Sequence, residues 1–268
     1  MKIIKVEIFT LLIMSYTLNV HAQIDTLISI GNHKLHFNII RGKGVPIIFE
    51  SGAGNDGAIW KDILNPLHDS TGATLITYDR AGFGKSGIDT NSINIINEIK
   101  DLEIGLNKLG YKEKYFFVAH SLGGNYVMTF TNRNSKKVQG GVFIDVVSPS
   151  WMTKERAKSV VKLYLDEIEV IKKESIGFYY IWKNYENTSS VMRRVSKSLK
   201  IPITIISSDG SFQGTDSLQW IQCLRLFANQ ANNRKFIVTE YGHYIFKDNP
   251  KLVIDEIISL YREIATKK

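Results

Sequence analysis

The chain has 268 residues, of which 44% are hydrophobic, and a formal net charge of +8 at pH 7. This length and composition suffice for one large α/β domain, and the sequence contains no internal repeats, low-complexity tracts or Pro-rich linkers. The basic residues form separated pairs among acidic residues instead of a continuous stripe, which argues against nucleic acid as a partner.

The N-terminal segment has the pattern of a secretory signal peptide. Lys2 and Lys5 precede a largely apolar run over residues 8–20, which is short for a membrane span. Small residues before Gln23 suit cleavage after Ala22. We therefore expect residues 1–22 to be a signal peptide and the protein to be periplasmic or secreted, without a membrane partner after cleavage. An uncleaved N-terminal anchor is the alternative.

The following residues predict an opening β-hairpin over 27–30 and 34–40, around Gly31. Further short apolar runs rich in β-branched residues occur at 45–49, 74–78, 115–118, 141–144, 203–206 and 236–238. Most of these runs are separated by stretches long enough for a helix, such as 93–109 and 122–131. This alternation predicts an α/β fold whose mostly parallel central sheet carries helices on both faces.

One long stretch departs from this alternation. Residues 150–200 contain no strand-like run, and their apolar residues recur at helical spacing among charged residues. We expect this stretch to be a helical cap inserted in a single domain that spans residues 23–268.

Residues 117–127, FVAHSLGGNYV, have the layout of a nucleophile elbow. An apolar run ends at Ser121, which lies between the small residues Ala119 and Gly123. A strand that turns sharply into a helix strains the turn residue and raises its hydroxyl above the sheet. The usual pattern is G-x-S-x-G, and here alanine replaces the first glycine. An ordinary strand-to-helix turn with an incidental serine is the alternative.

A nucleophilic serine needs a general base, and His243 is the candidate among the six histidines. It lies in a glycine-containing loop between the last predicted strand and a helix that begins near Pro250. This places His243 at the same carboxyl edge of the sheet as Ser121. Of the others, His68 is predicted on a surface helix, and His120 immediately precedes the serine and must point elsewhere.

The acid that orients the histidine has two candidates. Asp145 ends the strand after the elbow helix, and Asp209 follows a later strand. Both precede His243, so each preserves the chain order serine, acid, histidine. The one that is not used would serve as a helix cap or a loop carboxylate.

Acyl transfer also requires backbone N–H groups that face the developing oxyanion. The elbow supplies one donor, the N–H of Leu122. The glycine-rich segment at 50–57, ESGAGNDG, follows a predicted strand and offers Ala53 as the second donor. A phosphate-binding loop is the alternative, but neither the Lys-Ser/Thr ending nor the G-x-G-x-x-G spacing is present.

Together, these segments resemble the α/β-hydrolase superfamily over essentially the whole mature chain. Residues 76–87, ITYDRAGFGKSG, are distinctive for it, and Asp79 and Arg80 within them are usually structural. The resemblance implies that Ser121 is the nucleophile and His243 the base. It also implies that Ala53 and Leu122 are the oxyanion donors.

The resemblance bears on the acid as well. Members that use the later strand usually place the aspartate where this chain has Ser211, so Asp209 is out of register. Other members place the acid at the end of the strand after the elbow helix, which matches Asp145. We therefore favour Asp145 over Asp209.

The expected activity is hydrolysis of a small-molecule carboxylic ester or lactone through an acyl-enzyme, with no metal or organic cofactor. A macrolide-type lactone is one candidate substrate, by analogy with antibiotic-degrading esterases of the superfamily. Two alternatives are a cofactor-free haloperoxidase or C–C bond hydrolase on the same triad, and a non-catalytic ligand-binding homologue. The predicted cap has an aromatic cluster that would either wall an apolar pocket or pack the cap on the core: Trp151, Phe178, Tyr179, Tyr180, Trp182 and Tyr185.

Overall fold

A computed structural model describes residues 23–266. The predicted signal peptide, residues 1–22, lies outside the described residues. Within residues 23–266, no helix is both long enough and apolar enough to cross a membrane.

The described chain forms an eight-stranded mixed sheet in the order β1-β2-β4-β3-β5-β6-β7-β8. The strands are β1 (Gln23–Ser29), β2 (Lys34–Ile40), β3 (Ile47–Glu50), β4 (Leu75–Tyr78), β5 (Tyr115–His120), β6 (Val138–Ile144), β7 (Ile203–Ser208) and β8 (Arg234–Thr239). The hairpin β1–β2 is antiparallel, β2 pairs antiparallel with β4, and the remaining pairs are parallel. The predicted mostly parallel sheet with an antiparallel start is confirmed.

The central strands β3, β4 and β5 are buried along their whole lengths. Parallel strands that are covered on both faces are apolar throughout instead of alternating. This is why continuous apolar runs, and not alternating ones, predicted these strands.

Helices cover both faces of the sheet. They are α1 (Lys61–Thr71), α2 (Ile95–Lys108), α3 (Gly123–Arg133), α4 (Lys154–Tyr164), α5 (Ile168–Glu174), α6 (Ile176–Lys183), α7 (Tyr185–Val195), α8 (Thr215–Ala228), α9 (Ile245–Asp248) and α10 (Pro250–Thr266). The apolar sides of α2, α3 and α8 belong to one buried cluster, and those of α1 and α10 belong to a second. Two hydrophobic layers on one sheet are typical of an α/β domain.

Helices α4 to α7 follow one another between β6 and β7, and we call these four helices the cap. The start of α6 lies against the loop after β4, where a Cβ on Gly82 would approach the Gly177 backbone nitrogen to 2.8 Å. Gly82 also has a φ of +80°, so only glycine permits this close approach. The adjacent Phe178 lies over Gly54, with 3.5 Å between its ring and an ideal Cβ on that glycine. The cap therefore contacts the loop that follows β3.

His68 differs from its predicted surface position. The residue lies on a helix, α1, but it is only 7% exposed. Its Nδ1 is 2.9 Å from the carbonyl oxygen of Ala73, just beyond the left-handed Gly72 that ends the helix. The polar ring is thus buried because it satisfies a backbone group behind the helix end.

Candidate active site

Ser121 occupies the turn between β5 and α3 with a φ of +53°, a conformation that non-glycine residues rarely adopt. Its N–H donates to the carbonyl oxygen of Ile144 at 3.1 Å, which ties the turn to the adjacent strand. A Cβ on Gly123 would lie 2.4 Å from the carbonyl oxygen of Glu50, so the helix must begin with glycine here. Ala119 is fully buried in β5 and is paired with Glu50, where its methyl group fits.

Asp145 follows β6 directly and also has a positive φ, +46°. Its carboxylate is wholly buried, and Oδ2 lies 2.6 Å from Nδ1 of His243. A carboxylate accepts this hydrogen bond, so Nδ1 carries the proton and Nε2 keeps its lone pair. His243 is about one-third exposed, at 35% of its side-chain area. A partly exposed imidazole whose Nε2 has a free lone pair is the form that a general base requires.

Three further donors surround the Asp145 carboxylate. Oδ1 accepts hydrogen bonds from the backbone N–H of Ser208 at 2.9 Å and from the indole N–H of Trp220 at 2.7 Å. Oδ2 accepts from the hydroxyl of Ser211, which also lies 3.3 Å from Nδ1 of His243. Buried carboxylate oxygens need such partners, and these donors fix the plane of the carboxylate against the histidine.

Asp209 has a different environment. The residue is exposed one position after β7, and its described hydrogen bonds involve the backbone. Its N–H donates to Thr239 at 2.9 Å, and its carbonyl oxygen accepts from the Ser217 hydroxyl at 2.7 Å. The structure thus brings Asp145, and not Asp209, to His243.

Ser121 and His243 lie at the same edge of the sheet, but no hydrogen bond joins them within residues 23–266. Catalytic hydrogen bonds are often long without substrate and shorten in the complex. The link between their two loops is made by His120, the residue before Ser121. The Nε2 of His120 donates to the carbonyl oxygen of His243 at 3.0 Å, and the two rings lie 4.6 Å apart.

His120 itself is unsuited to be the base. It is 1% exposed, and burial together with the nearby His243 lowers its pKa to about 3. Its ring is therefore neutral near pH 7, with the proton on the Nε2 that bonds to His243. His120 positions the His243 loop instead of exchanging protons.

The segments that carry the two predicted oxyanion donors both lie next to Ser121. Leu122 follows it in the chain, and an ideal Cβ on Gly52, the neighbour of Ala53, would lie 3.2 Å from the Ser121 Cβ. Within the described residues, neither the Ala53 N–H nor the Leu122 N–H donates to a protein acceptor. Two amides without acceptors beside a strained serine are what an oxyanion hole requires.

Beneath the loop that follows β3 lies a polar cluster in which Glu50, Tyr78, Arg80 and Tyr126 are buried and Glu98 is partly buried. Arg80 donates to the Glu50 carboxylate at 2.7 Å, and the Tyr78 hydroxyl donates to the other oxygen of the same carboxylate. Tyr126 donates to Glu98 at 2.9 Å. Burial raises the pKa of Glu50 despite the attraction of Arg80.

The second carboxylate of this cluster, Glu98, yields a testable pH dependence. Burial raises its pKa from 4.5 to about 7, and Glu50 and Asp101 add to the increase against the opposing effects of Arg80 and Tyr126. The folded protein therefore holds a proton that the unfolded chain releases between pH 4.5 and 7. The free energy of unfolding that depends on this proton is fully present below pH 4.5 and is lost as pH rises to 7.

Replacing Glu98 by glutamine removes the ionisation and keeps an oxygen that accepts from Tyr126. We expect Glu98→Gln to be more stable than the parent protein at pH 8, by about 1–3 kcal/mol, and nearly equal to it at pH 4.5. Urea unfolding at the two pH values measures this difference. An equal shift at both pH values would show that Glu98 does not titrate in this range.

Asp79 has a structural role, as its family segment implies. One oxygen accepts from the Gly57 N–H at 2.9 Å, and the other accepts from the Lys85 N–H at 2.9 Å and contacts His36 Nδ1 at 2.8 Å. A Cβ on Gly84 would overlap the Asp79 carboxylate at 2.2 Å. Asp79 thus joins the loops after β3 and β4 below the site.

Sequence reasoning did not identify Trp220 as a contact of the candidate acid, and it named Ser211 only for its register. Trp220 lies on α8, far along the chain from Asp145, and an indole in an amphipathic helix is normally a packing residue. The available signal was Ser211, at the position where relatives carry the acid. A hydroxyl there is suited to contact a carboxylate at the end of the neighbouring strand β6.

Comparison with known proteins agrees with this architecture. A family model described as "alpha/beta hydrolase fold" matches residues 45–172. An uncharacterised Bacillus subtilis protein, YqjL, is 34% identical over 102 residues, which cover 38% of this chain and 40% of YqjL. The chain spans less than half the length of the curated relatives it matches.

Solved structures match over most of their length. A thermophilic esterase from Thermogutta terrifontis is 18% identical, with a TM-score of 0.64 over 91% of this chain and 99% of the esterase. Est816, described as an N-acyl homoserine lactone degrading enzyme, is 17% identical, with a TM-score of 0.62 over 89% of this chain and 99% of its own. At these identities the likeness shows the fold. The eight-stranded sheet, the family match over residues 45–172 and these structural neighbours together show that the chain has the α/β-hydrolase fold.

Proposed function

We propose that this protein is a serine hydrolase that cleaves a carboxylic ester or lactone through an acyl-enzyme. The observation that carries the proposal is the hydrogen bond between buried Asp145 and His243, at the sheet edge where Ser121 occupies a strained turn. Positive φ at both Ser121 and Asp145 supports it, because such strain is concentrated at functional sites.

In the proposed mechanism, Ser121 Oγ attacks the acyl carbon while His243 Nε2 takes the hydroxyl proton. Negative charge then develops on the former carbonyl oxygen, and the N–H groups of Ala53 and Leu122 stabilise it. His243 returns the proton to the leaving alcohol, and the acyl-enzyme remains. Water, deprotonated by His243, attacks this ester, and the acid product leaves as Ser121 recovers its proton.

Asp145 supports both proton transfers. Its negative charge lies 2.6 Å from Nδ1, where it stabilises the imidazolium and keeps the ring in the Nδ1–H form. No step calls for a metal or organic cofactor. Serine at the elbow also disfavours haloalkane or epoxide chemistry in this fold, since those reactions need a carboxylate that forms an alkyl ester.

The cap contributes to the proposed substrate specificity. Trp151, Trp182 and Tyr185 are at most 7% exposed and pack in the core, so they act mainly as packing residues. Phe178 is half-buried and lies over Gly54 in the candidate oxyanion loop. An aromatic ring beside the acyl-binding position favours apolar acyl groups.

We therefore expect p-nitrophenyl butyrate to be hydrolysed with a kcat/KM about tenfold higher than the acetate, since each buried methylene contributes roughly 0.8 kcal/mol. Phe178→Ala should reduce this preference. Tyr179→Ala is the matched control, because that ring lies beside the ammonium groups of Lys172 and Lys183. Equal rates for acetate and butyrate, unaffected by Phe178→Ala, would contradict this role of the cap.

The same assay tests the reaction class. The compounds to be assayed beside the p-nitrophenyl esters are lactones, including macrolide-type and N-acyl homoserine lactones, and amides. We propose ester or lactone turnover that requires Ser121. Activity that survives in Ser121→Ala, or turnover of none of these classes, would overturn the proposal.

Export through the N-terminal signal peptide remains part of the proposal and rests on the leader sequence alone.

A further inference from the structure

The candidate oxyanion loop, which follows β3 and contains Ala53, accepts hydrogen bonds from the buried side chain of Arg80. Arg80 is 3% exposed, and its guanidinium donates to two consecutive carbonyl oxygens of the loop, Ser51 at 2.5 Å and Gly52 at 2.6 Å. The same guanidinium contacts the Glu50 carboxylate at 2.7 Å. Its planar array of N–H groups suits a set of acceptors at fixed spacing, which a single ammonium group cannot match.

The geometry of a peptide group turns this contact into a constraint on Ala53. The carbonyl of Gly52 and the N–H of Ala53 belong to the same planar peptide unit, and the described chain contains no cis peptide bond. In a trans unit these two groups point in opposite directions. Because Arg80 draws the Gly52 oxygen toward the interior, the Ala53 N–H points away from it, and it has no protein acceptor within residues 23–266.

The charge on Arg80 acts through the same peptide unit. A hydrogen bond from a cation to a carbonyl oxygen polarises the amide, so its N–H becomes a stronger donor. Glu50 balances the charge of Arg80, and the Tyr78 hydroxyl bonds to the second oxygen of Glu50. This arrangement keeps a full cation buried beneath the loop.

We propose that Arg80 is a positioning residue of the oxyanion hole, with Glu50 as its counter-ion. It orients and polarises the Gly52–Ala53 peptide so that the Ala53 N–H stabilises the oxyanion. The inference rests on the proposed serine hydrolase activity. A purely structural Arg80 would only satisfy the Ser51 and Gly52 carbonyls and Glu50, and its loss would reduce stability without a specific effect on the transition state.

The test compares transition-state stabilisation with substrate binding. Removing Arg80 alone would strand the buried Glu50 charge, so the main variant is the double replacement Glu50→Gln with Arg80→Met. We expect its kcat to fall about 10- to 100-fold with KM changed less than about threefold, since loss of an oxyanion donor costs about 10²- to 10³-fold. Affinity for a trifluoromethyl ketone inhibitor, which forms a tetrahedral adduct, should fall in parallel with kcat.

Two single variants complete the test. Tyr126→Phe is the matched control, because Tyr126 contacts Arg80 through its ring and Glu98 through its hydroxyl but does not bond to the loop carbonyls. It should lose stability without changing kcat. Arg80→Lys keeps the charge but not the planar array of donors. We expect it to retain more activity than the double variant and to remain measurable if the double variant fails to fold.

The outcomes separate this inference from the proposed function. Unchanged kcat and inhibitor affinity in Arg80→Lys or in a folded double variant would overturn the role of Arg80. An equal kcat loss in Tyr126→Phe would also overturn it, because the effect would then be general. If the parent protein shows no ester or lactone turnover and no Ser121 labelling by a fluorophosphonate, the serine hydrolase proposal itself fails.

Discussion

Ser121→Ala is expected to lower kcat about 10⁶-fold on the best ester substrate, because serine and its base act as a unit in such sites. Without Oγ no acyl-enzyme forms, and His243 has no hydroxyl to deprotonate. A residual rate above that in water should remain, because the Ala53 and Leu122 amides still stabilise an oxyanion formed by direct attack of water. The measurement is turnover under saturating substrate.

Covalent labelling gives an independent readout of the same prediction. A fluorophosphonate should modify the parent protein at Ser121 and leave Ser121→Ala unmodified. Ser150→Ala is the matched control, since that serine is exposed and, among residues 23–266, its hydroxyl bonds to Ser148 and the Cys223 carbonyl oxygen alone. It should be labelled and active like the parent. Labelling that persists in Ser121→Ala would show that another residue is the nucleophile.

Asp145→Asn is expected to lower kcat about 10⁴-fold. Asparagine tolerates the φ of +46° at this position, and its oxygen still accepts from Ser208 and Trp220. Its amide NH₂ then faces His243 and donates to Nδ1. The imidazole proton moves to Nε2, so this nitrogen, the proposed base, can no longer accept the hydroxyl proton. The fold is retained and the base is in the wrong tautomer.

Asp209→Asn distinguishes the two candidate acids. Asp209 is exposed, so this variant should keep kcat within about twofold of the parent, in line with the small effects of most surface substitutions. Steady-state kinetics of the two variants, with thermal unfolding as a check of folding, measures the difference. A large loss in Asp209→Asn together with normal turnover in Asp145→Asn would assign the acid to the later strand.

The positions of the strands along the chain could be predicted because burial dictates composition. Strands covered on both faces are apolar runs, and those at 47–50, 75–78 and 115–120 lie within a few residues of their predicted positions. The start of β6 was harder to predict from the sequence. Gly140 and Gly141 weaken its strand pattern, yet Gly141 is required because β5 packs closely against it, with the Phe117 carbonyl oxygen only 2.7 Å from an ideal Cβ on Gly141.

Candidate site residues fall into two groups by the kind of information that defines them. Ser121 and His243 follow from local pattern and chain order, since each lies next to a strand end. The environment of Asp145 does not follow from local pattern, because its hydrogen-bond donors come from β7, the loop after β7 and α8. Arg80 was visible as part of a family segment, but its contact with two loop carbonyls depends on how β3 and β4 are paired.

The hydrogen bond from the Ser208 N–H to Asp145 joins the ends of the two strands between which the cap is inserted. The chain therefore leaves β6 for the cap and returns from it to β7, and the ends of these two strands are joined independently of the cap. Asp145 is held by both strands. For protein engineering, residues 154–195 are therefore the segment to exchange, and a replacement must also fill the core positions of Trp182 and Tyr185. We expect a cap grafted from another α/β-hydrolase to change the substrate range of the proposed esterase while Asp145 and His243 keep their positions.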